Sequence, residues 1–192
     1  MQHRLIDRQT SCLVVIDVQQ YFLDKLPLDW RKPLVQRIAW LIRVAKALEI
    51  PIIATAEDIS NDGPMVPELM KELPPGTRVH DKMVFGLAGQ APILDDVKRS
   101  GRSAFILVGL ETDVCIAHSA IGLMEQGYRV AVIEDATGSP PPHHEAGIKR
   151  IAAAGGIVTN TKGIHYEWVR DLATLGVLRQ KIGTGLPEGL TL

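Results

Sequence analysis

Six short runs rich in valine and isoleucine alternate with longer stretches whose apolar residues recur every three or four positions. The runs lie at residues 11–17, 50–56, 77–80, 103–110, 129–134 and 156–159. Short, nearly continuous apolar runs are typical of strands buried on both faces of a parallel sheet. The stretches between them supply the crossover helices that parallel strands need. The sequence therefore predicts an α/β fold, with a doubly wound, mostly parallel six-stranded sheet and helices on both faces.

Helices are predicted between these runs, and the clearest begins at Pro33, because proline is favoured at the first position of a helix. Its apolar residues Leu34, Ile38 and Leu41 recur at helical spacing. The predicted helices cover residues 33–48, 65–71, 91–100, 113–126, 144–154 and 166–175. We expect residues 1–192 to form a single domain with its core at about residues 8–180, followed by a loosely held tail at residues 181–192 that contains glycine and proline.

The charge balance restricts the partners of the chain. Lys and Arg number 21 and Asp and Glu number 22, so the formal net charge is −1. This charge creates no long-range field for phosphate backbones or anionic lipids, so we expect a small-molecule substrate and neither nucleic acid nor membrane as a partner. No apolar run approaches the roughly 18 residues that a membrane span needs. The N-terminal segment lacks the apolar stretch of a signal peptide, so a cytoplasmic location is expected.

Two reactive side chains follow strands that should be neighbours. In open parallel sheets, ligands bind at the carboxyl ends of strands where the strand order reverses, which for the order 3-2-1-4-5-6 lies between strands one and four. The first run ends in Asp17, and Cys115 follows the fourth run at the start of the next helix. If this strand order holds, a carboxylate and a thiol meet at that point of the sheet.

The two cysteines have different expected roles. Cys12 opens a buried strand, where a free thiol behaves as a small apolar group with a raised pKa. Cys115 precedes a helix, whose positive N-terminal end and free backbone N–H groups favour a thiolate and an oxyanion. Taken alone, Cys115 is about equally consistent with a buried structural cysteine.

Three segments together resemble the signature blocks of the isochorismatase-like cysteine hydrolases. They are residues 14–22 (VVIDVQQYF), Asp81-Lys82 followed by Phe85-Gly86, and residues 109–116 (GLETDVCI). Their order and spacing, with residues 134–137 (EDAT) after the fifth run, extend the resemblance over roughly residues 8–180. Three blocks in the correct order are much more specific than one. They favour a functional Cys115.

The resemblance implies a Rossmann-like fold and a nucleophilic site. Asp17 would be the general base and acid, Lys82 the cationic member and Cys115 the nucleophile, which attacks an amide carbonyl and forms a thioester that water hydrolyses. The family also has a cis peptide before this helix, which corresponds here to the bond between Leu110 and Glu111. The backbone N–H groups of Glu111 and Cys115 would then bind the oxyanion.

The remaining site expectations concern the pocket, metals and histidines. The pocket should be compact and mostly apolar. The nicotinamidase-like branch of the family holds a metal with one Asp and two His, but residues 55–62 contain no histidine, so no metal and no cofactor is expected. We favour packing for His118 and a solvated loop for His143 and His144, although all three lie near the predicted site. The expected pocket residues are Gln19, Phe22, Phe85, Leu87, Leu110 and Ile116.

The sequence thus predicts a cysteine-dependent amidohydrolase that cleaves a C–N bond of a small amide or N-carbamoyl compound. Two alternatives remain open: an isochorismatase that hydrolyses a vinyl ether, and a catalytically silent binding protein with the same fold. Members of the family usually assemble, and we expect a homo-oligomer with Trp40, Trp168 and the tail as candidates for exposed interface residues. The sequence does not identify the substrate.

Overall fold

The computed structural model describes residues 5–192, which contain one six-stranded sheet in which all paired strands run parallel. The first four residues of the N-terminal segment lie outside this description. The strands are β1 (Ser11–Ile16), β2 (Ile52–Glu57), β3 (Val79–Lys82), β4 (Ala104–Leu110), β5 (Arg129–Gly138) and β6 (Ile157–Thr159). Their order across the sheet is β3-β2-β1-β4-β5-β6. The predicted α/β class and the reversal of strand order between β1 and β4 are confirmed.

Helices cover both faces of the sheet, as expected for a doubly wound fold. The helices are α1 (Gln20–Leu23), α2 (Leu28–Ala47), α3 (Ile59–Asp62), α4 (Pro67–Met70), α5 (Ala91–Arg99), α6 (Ala117–Glu125), α7 (His143–Ala153), α8 (Thr161–Val169) and α9 (Leu172–Ile182). A short 3₁₀ turn at Leu87–Gly89 precedes α5, and one π-helical turn at Thr112–Ile116 precedes α6.

Alternate side chains of the strands supply two apolar cores. Leu13 and Val15 of β1 belong to one core, together with buried residues of α2 and α8. Cys12 and Val14 belong to the other core, together with buried residues of α5, α6 and α7. This alternation is the period of two expected of a strand that is covered on both faces. Within residues 5–192, none of the helices is long and apolar enough to cross a membrane.

The helices predicted at residues 33–48 and 166–175 differ most from those observed. Helix α2 begins at Leu28, not at Pro33, which lies inside the helix and leaves one backbone N–H···O bond unmade. The helix predicted at residues 166–175 is wrong, because the chain turns at Arg170, whose φ is +67°, and separates α8 from α9. Helix α9 continues to Ile182, so the first two residues of the predicted tail are helical.

The two tryptophans predicted at an interface are buried inside the chain, so that expectation is wrong. Trp40 is 2% exposed and Trp168 is fully buried. The indole Nε1 of Trp168 donates to the Ser11 hydroxyl at 3.0 Å, which satisfies its only polar group. The Trp40 ring packs against the His165 ring of α8 at 5.0 Å. Both large side chains therefore pack in the core of the subunit.

Candidate active site

Four neighbouring strands each place one reactive group at the same edge of the sheet. Asp17 follows β1, Glu57 ends β2 and Lys82 ends β3, while Cys115 lies in the π-helical turn after β4. Glu57 and Lys82 are partners in the register of β2 with β3. Since the carboxyl ends of parallel strands share one edge, these groups are brought together although they are far apart in sequence.

A close approach of two backbones holds β1 against β4 at this edge. Ile16 and Gly109 are register partners, and Gly109 has a φ of +121°, which favours glycine. A Cβ atom at Gly109 would lie 1.9 Å from the carbonyl oxygen of Ile16. Asp17, which follows Ile16 in the chain, also has a positive φ, of +51°. The lack of a side chain at Gly109 therefore allows β1 to end directly beside the turn that carries Cys115.

The Lys82 ammonium group is fully buried and lies among three anionic or polarisable partners. Its Nζ is 3.0 Å from Asp17 Oδ2 and 2.9 Å from Glu57 Oε2. It also donates to the Val84 carbonyl oxygen at 2.7 Å and to Cys115 Sγ at 3.7 Å. A buried charge needs such pairing, because its transfer from water is costly when it lacks partners.

Glu57 contacts the thiol directly and was not among the site residues predicted from the sequence. Cys115 Sγ donates to Glu57 Oε2 at 3.0 Å. The backbone of Glu57 is clamped by Gln19, whose amide nitrogen donates to the Glu57 carbonyl and whose amide oxygen accepts from the Glu57 N–H, both at 2.7 Å. Gln19 thus holds the end of β2, which fixes the position of the Glu57 side chain.

The environment shifts the ionisation of the three predicted catalytic groups. Burial raises the pKa of Asp17 to about 6, although Lys82 and a 2.7 Å hydrogen bond from the Thr55 hydroxyl favour its charged form. Burial lowers the pKa of Lys82, but the Asp17 carboxylate and the other anionic partners outweigh it and hold that pKa above its ordinary value.

The Cys115 thiol is not activated in the way that its position before a helix suggested. Burial and the Asp17 carboxylate raise its pKa well above the ordinary value, and Lys82 only partly opposes them. In the resting site the cysteine is therefore a neutral thiol hydrogen-bonded to Glu57. Burial also raises the pKa of Cys12, to about 12.

The turn that carries Cys115 is anchored from outside the sheet. Its backbone closes with a hydrogen bond from Ile116 N to the Glu111 carbonyl oxygen at 3.1 Å, and the Leu110–Glu111 peptide bond that precedes it is cis. Helix α7 packs directly on this turn, since a Cβ atom at Gly147 would lie 2.7 Å from the backbone of Asp113. The oxyanion role of the Glu111 and Cys115 N–H groups remains a prediction.

Comparison with known proteins identifies the family of this chain. A family model described as the isochorismatase domain matches residues 11–163. The chain belongs to the isochorismatase family. Isochorismatase family protein 2B of Dictyostelium discoideum is 30% identical over 178 residues, which cover 87% of this chain and 80% of that protein. The secreted isochorismatase effector Isc1 of Phytophthora sojae is 28% identical over 84% of this chain and 78% of its own length.

Solved structures share the isochorismatase-like fold over nearly the whole chain. The MAR1 ribonuclease from Caenorhabditis elegans superposes with a TM-score of 0.85 and 28% identity, covering 98% of this chain and 97% of that one. The YcaC gene product from Escherichia coli, described as an octameric hydrolase of unknown specificity, has a TM-score of 0.82 and 25% identity over 94% of this chain and 92% of its own. The fold of this chain is thus that of isochorismatase-family hydrolases.

The predicted pocket residues occupy different environments in this isochorismatase-family chain. Phe22 and Leu110 belong to the core on one face of the sheet, whereas Leu87 and Ile116 belong to the core on the other face with Cys115. Phe85 is 54% exposed and contacts the His118 ring edge-on at 6.0 Å. Their contact with substrate remains a prediction.

The three histidines near the predicted site have different contacts. His118 is exposed and lies against Phe85. His143 is 61% exposed, with Nδ1 3.9 Å from Asp113 Oδ2. His144 is closer to the site, because its Nδ1 lies 2.8 Å from the hydroxyl of Thr112, the first residue of the cysteine turn. The solvated loop expected for His143 and His144 is therefore wrong, because both residues begin α7 and His144 is half-buried against this turn.

Asp17, Glu57 and Cys115 each offer one potential metal-ligand atom, and these atoms lie within 4.8 Å of one another, a spacing that also suits a metal ion. The Lys82 ammonium, however, contacts all three of these side chains. The positive charge that these groups require is therefore already supplied by the protein. That the site takes no metal remains a prediction.

Proposed function

We propose that this chain is a cysteine-dependent hydrolase that cleaves a C–N bond of a small amide or N-carbamoyl compound through a thioester intermediate. The observation that carries the proposal is a single buried cluster in which Lys82 contacts both the Asp17 carboxylate and the Cys115 thiol. A nucleophile, a fixed cation and a carboxylate that can exchange protons are the groups that acyl transfer to sulfur requires.

In the first half of the reaction, the thiol proton passes to a carboxylate of the cluster and the sulfur attacks the carbonyl carbon. The C–S bond forms while the C=O electron pair moves to oxygen, and the N–H groups of Glu111 and Cys115 stabilise the oxyanion. The oxyanion then collapses, the C–N bond breaks, and Asp17 protonates the departing nitrogen. Because its pKa is about 6, the Asp17 carboxyl exchanges protons close to neutral pH.

In the second half, water hydrolyses the thioester. Asp17 takes a proton from the water, whose oxygen bonds to the acyl carbon, and the C–S bond breaks. The proton returns to the sulfur as the carboxylic acid or carbamic acid leaves. Lys82 stays protonated when each half is complete and keeps the carboxylates in place through its contacts at 2.9 and 3.0 Å.

The experiment is steady-state release of ammonia from primary amides, ureido compounds and N-carbamoyl compounds, beside an assay with isochorismate. We expect ammonia from at least one class, its loss in Cys115→Ser, and a 10²–10⁴-fold decrease in kcat for Asp17→Asn, with the fold retained. Ammonia release in Cys115→Ser at the wild-type rate would remove the nucleophile from the mechanism.

The competing functions give different results in the same assays. A vinyl ether hydrolase would act on isochorismate without needing Cys115, and a silent binding protein would turn over neither substrate class. Ribonuclease activity, after the name of the Caenorhabditis elegans relative, is disfavoured by charge, because an RNA phosphate would meet two carboxylates beside one ammonium group. We therefore rank C–N hydrolysis first.

We also propose that the protein is a homo-oligomer, with a cytoplasmic location as the sequence suggests. The Escherichia coli relative is described as octameric. In this chain, Leu28, Met83 and Leu172 are 79%, 64% and 85% exposed and are therefore available for contact with a second copy. These residues replace Trp40 and Trp168 as interface candidates.

A further inference from the structure

The nearest acceptor for the proton of the nucleophile is not the carboxylate that the family resemblance assigns. The Cys115 thiol donates to Glu57 Oε2 at 3.0 Å, an oxygen that also accepts from Lys82 at 2.9 Å. Asp17 Oδ1 instead accepts from the Thr55 hydroxyl at 2.7 Å, and Oδ2 lies 3.0 Å from the Lys82 ammonium in an ion pair. The hydrogen bond along which the thiol can ionise therefore ends on Glu57.

Charge separates the two possible acceptors. If the thiol proton moved to Asp17, the thiolate and the Glu57 carboxylate would be two anions 3.0 Å apart with no proton between them. Like charges at such a distance disfavour each other's ionisation strongly. If the proton moved to Glu57, one proton would remain shared between sulfur and oxygen, and Asp17 would keep its ion pair with Lys82. The second state has the same net charge, removes the anionic contact at 3.0 Å, and leaves Lys82 beside both remaining anions, 3.0 Å from Asp17 and 3.7 Å from the sulfur.

We propose that Glu57 is the carboxylate that takes and holds the Cys115 proton while the sulfur attacks, and that Asp17 stays ionised against Lys82 during this step. The proposal rests on Cys115 being the nucleophile of the proposed function. The S–H bond breaks and an O–H bond forms on Glu57 as the C–S bond is made. Atoms and charge balance within the cluster, and no external base is needed.

The same contacts explain how the proton then reaches Asp17. Once the sulfur is bonded to carbon, it no longer carries the negative charge that keeps the proton on Glu57. Lys82 contacts Glu57 at 2.9 Å and Asp17 at 3.0 Å, so it can give a proton to Asp17 and receive one from Glu57. Asp17, whose carboxyl has the raised pKa, is thereby protonated before it serves the departing nitrogen.

The test is the pH dependence of Cys115 alkylation by iodoacetamide, followed by peptide mass spectrometry of the reduced protein. The pair of thiolate and protonated Glu57 contains as many protons as the pair of thiol and Glu57 carboxylate, so its population does not change with pH. In wild type, we expect the alkylation rate to stay within about a factor of two between pH 6.5 and 8.

Glu57→Gln removes the acceptor and keeps the side-chain shape. Cys115 must then ionise to bulk solvent, and its alkylation rate should rise about tenfold per pH unit over the same range. The slope is the diagnostic quantity, because loss of the Glu57 charge also lowers the pKa of the thiol. Glu57→Asp, which restores a carboxylate, should recover part of the pH-independent rate.

Two further variants serve as controls. Asp58→Asn removes one negative charge at the residue that follows Glu57. The Asp58 side chain bonds to Ser60, so this substitution should leave the alkylation rate of Cys115 independent of pH. Asp17→Asn should keep the flat profile although it lowers turnover. The titratable groups that shift the pKa of the Cys115 thiol are Asp17, Lys82 and Glu57. Cys12 is fully buried, so its labelling reports unfolding in any variant.

The outcomes separate this proposal from the function. A flat profile that persists in Glu57→Gln but disappears in Asp17→Asn would overturn it and make Asp17 the acceptor. A rate that rises tenfold per pH unit in wild type would also overturn it. A flat profile that depends on Glu57, in a protein that releases no ammonia from any substrate, would support the role of Glu57 and reject the proposed hydrolase function.

Discussion

Gly109→Ala should be the most damaging single methyl addition at the edge of the sheet. The new Cβ would lie 1.9 Å from the Ile16 carbonyl oxygen, whereas a carbon–oxygen contact needs about 3.3 Å. Strands β1 and β4 must then separate by more than about 1 Å. Losing two buried inter-strand hydrogen bonds costs about 2–6 kcal/mol, and a φ of +121° adds about 1–3 kcal/mol for an L residue.

We therefore expect Gly109→Ala to lower the free energy of unfolding by at least about 3 kcal/mol, measured by urea denaturation with circular dichroism. Gly101→Ala is the matched control. Gly101 also has a positive φ, of +63°, but a Cβ atom there has no neighbour within 4 Å. Backbone strain alone should cost about 1 kcal/mol at that position. Equal destabilisation by the two substitutions would refute the close-approach argument.

Two other predictions concern catalysis and assembly. Protonation of Asp17 should make kcat/KM fall below about pH 6. The Thr55 hydroxyl stabilises the charged carboxylate, so Thr55→Val should raise the pKa of Asp17 and move this decrease to higher pH. A decrease at the same pH in Thr55→Val would exclude Asp17 as the titrating group. Light scattering at micromolar concentration should give the mass of an oligomer, and Leu172→Glu should reduce it if this exposed side chain lies at an interface; a monomeric mass for wild type would reject the assembly.

The sheet was predictable because strands buried on both faces need apolar residues at every position. Two helix boundaries were not predictable, because they depend on local backbone conformation that the apolar pattern does not show. Proline usually begins a helix, but α2 incorporates Pro33 in its second turn; its buried residues begin only at Leu34, so the apolar pattern does not indicate the turn that precedes Pro33. The separation of α8 from α9 depends on the positive φ of Arg170, which the sequence pattern does not indicate. The apolar spacing continues across this turn, so periodicity alone predicts one helix.

The proximity of Asp17, Lys82 and Cys115 was predictable from the sequence, but the contact of Glu57 with the thiol was not. The second strand was predicted to end at residue 56, and it ends at Glu57. The rule that located Asp17 and Cys115, namely that reactive groups lie at the carboxyl ends of strands, applies equally to Glu57. An error of one residue at the strand end concealed it. The raised pKa of the Cys115 thiol was also missed, because it depends on burial and on two carboxylates from other strands.

Lys82 joins the stability of the fold to the chemistry of the site, and Lys82→Met tests this connection. The substitution leaves Asp17 and Glu57 without their cation, and breaking a buried ion pair from one side typically costs about 3–5 kcal/mol. The double variant Lys82→Met/Asp17→Asn also lacks the unpaired buried carboxylate of Asp17. We expect the double variant to be more stable than Lys82→Met at pH 7, as measured by urea denaturation.

The difference between these two variants should depend on pH, with a sign set by Asp17. Its folded pKa, about 6 with Lys82 present, lies above the ordinary 3.8, and loss of the cation raises it further. A folded-state pKa above the unfolded value makes the folded state bind more protons, so the penalty grows as the pH rises from about 4 and becomes constant above the folded pKa. The stability advantage of the double variant should therefore shrink as the pH falls from 7 towards 4. An equal advantage at both pH values would show that the loss in Lys82→Met arises from packing, since a change in packing has no reason to follow the protonation of Asp17.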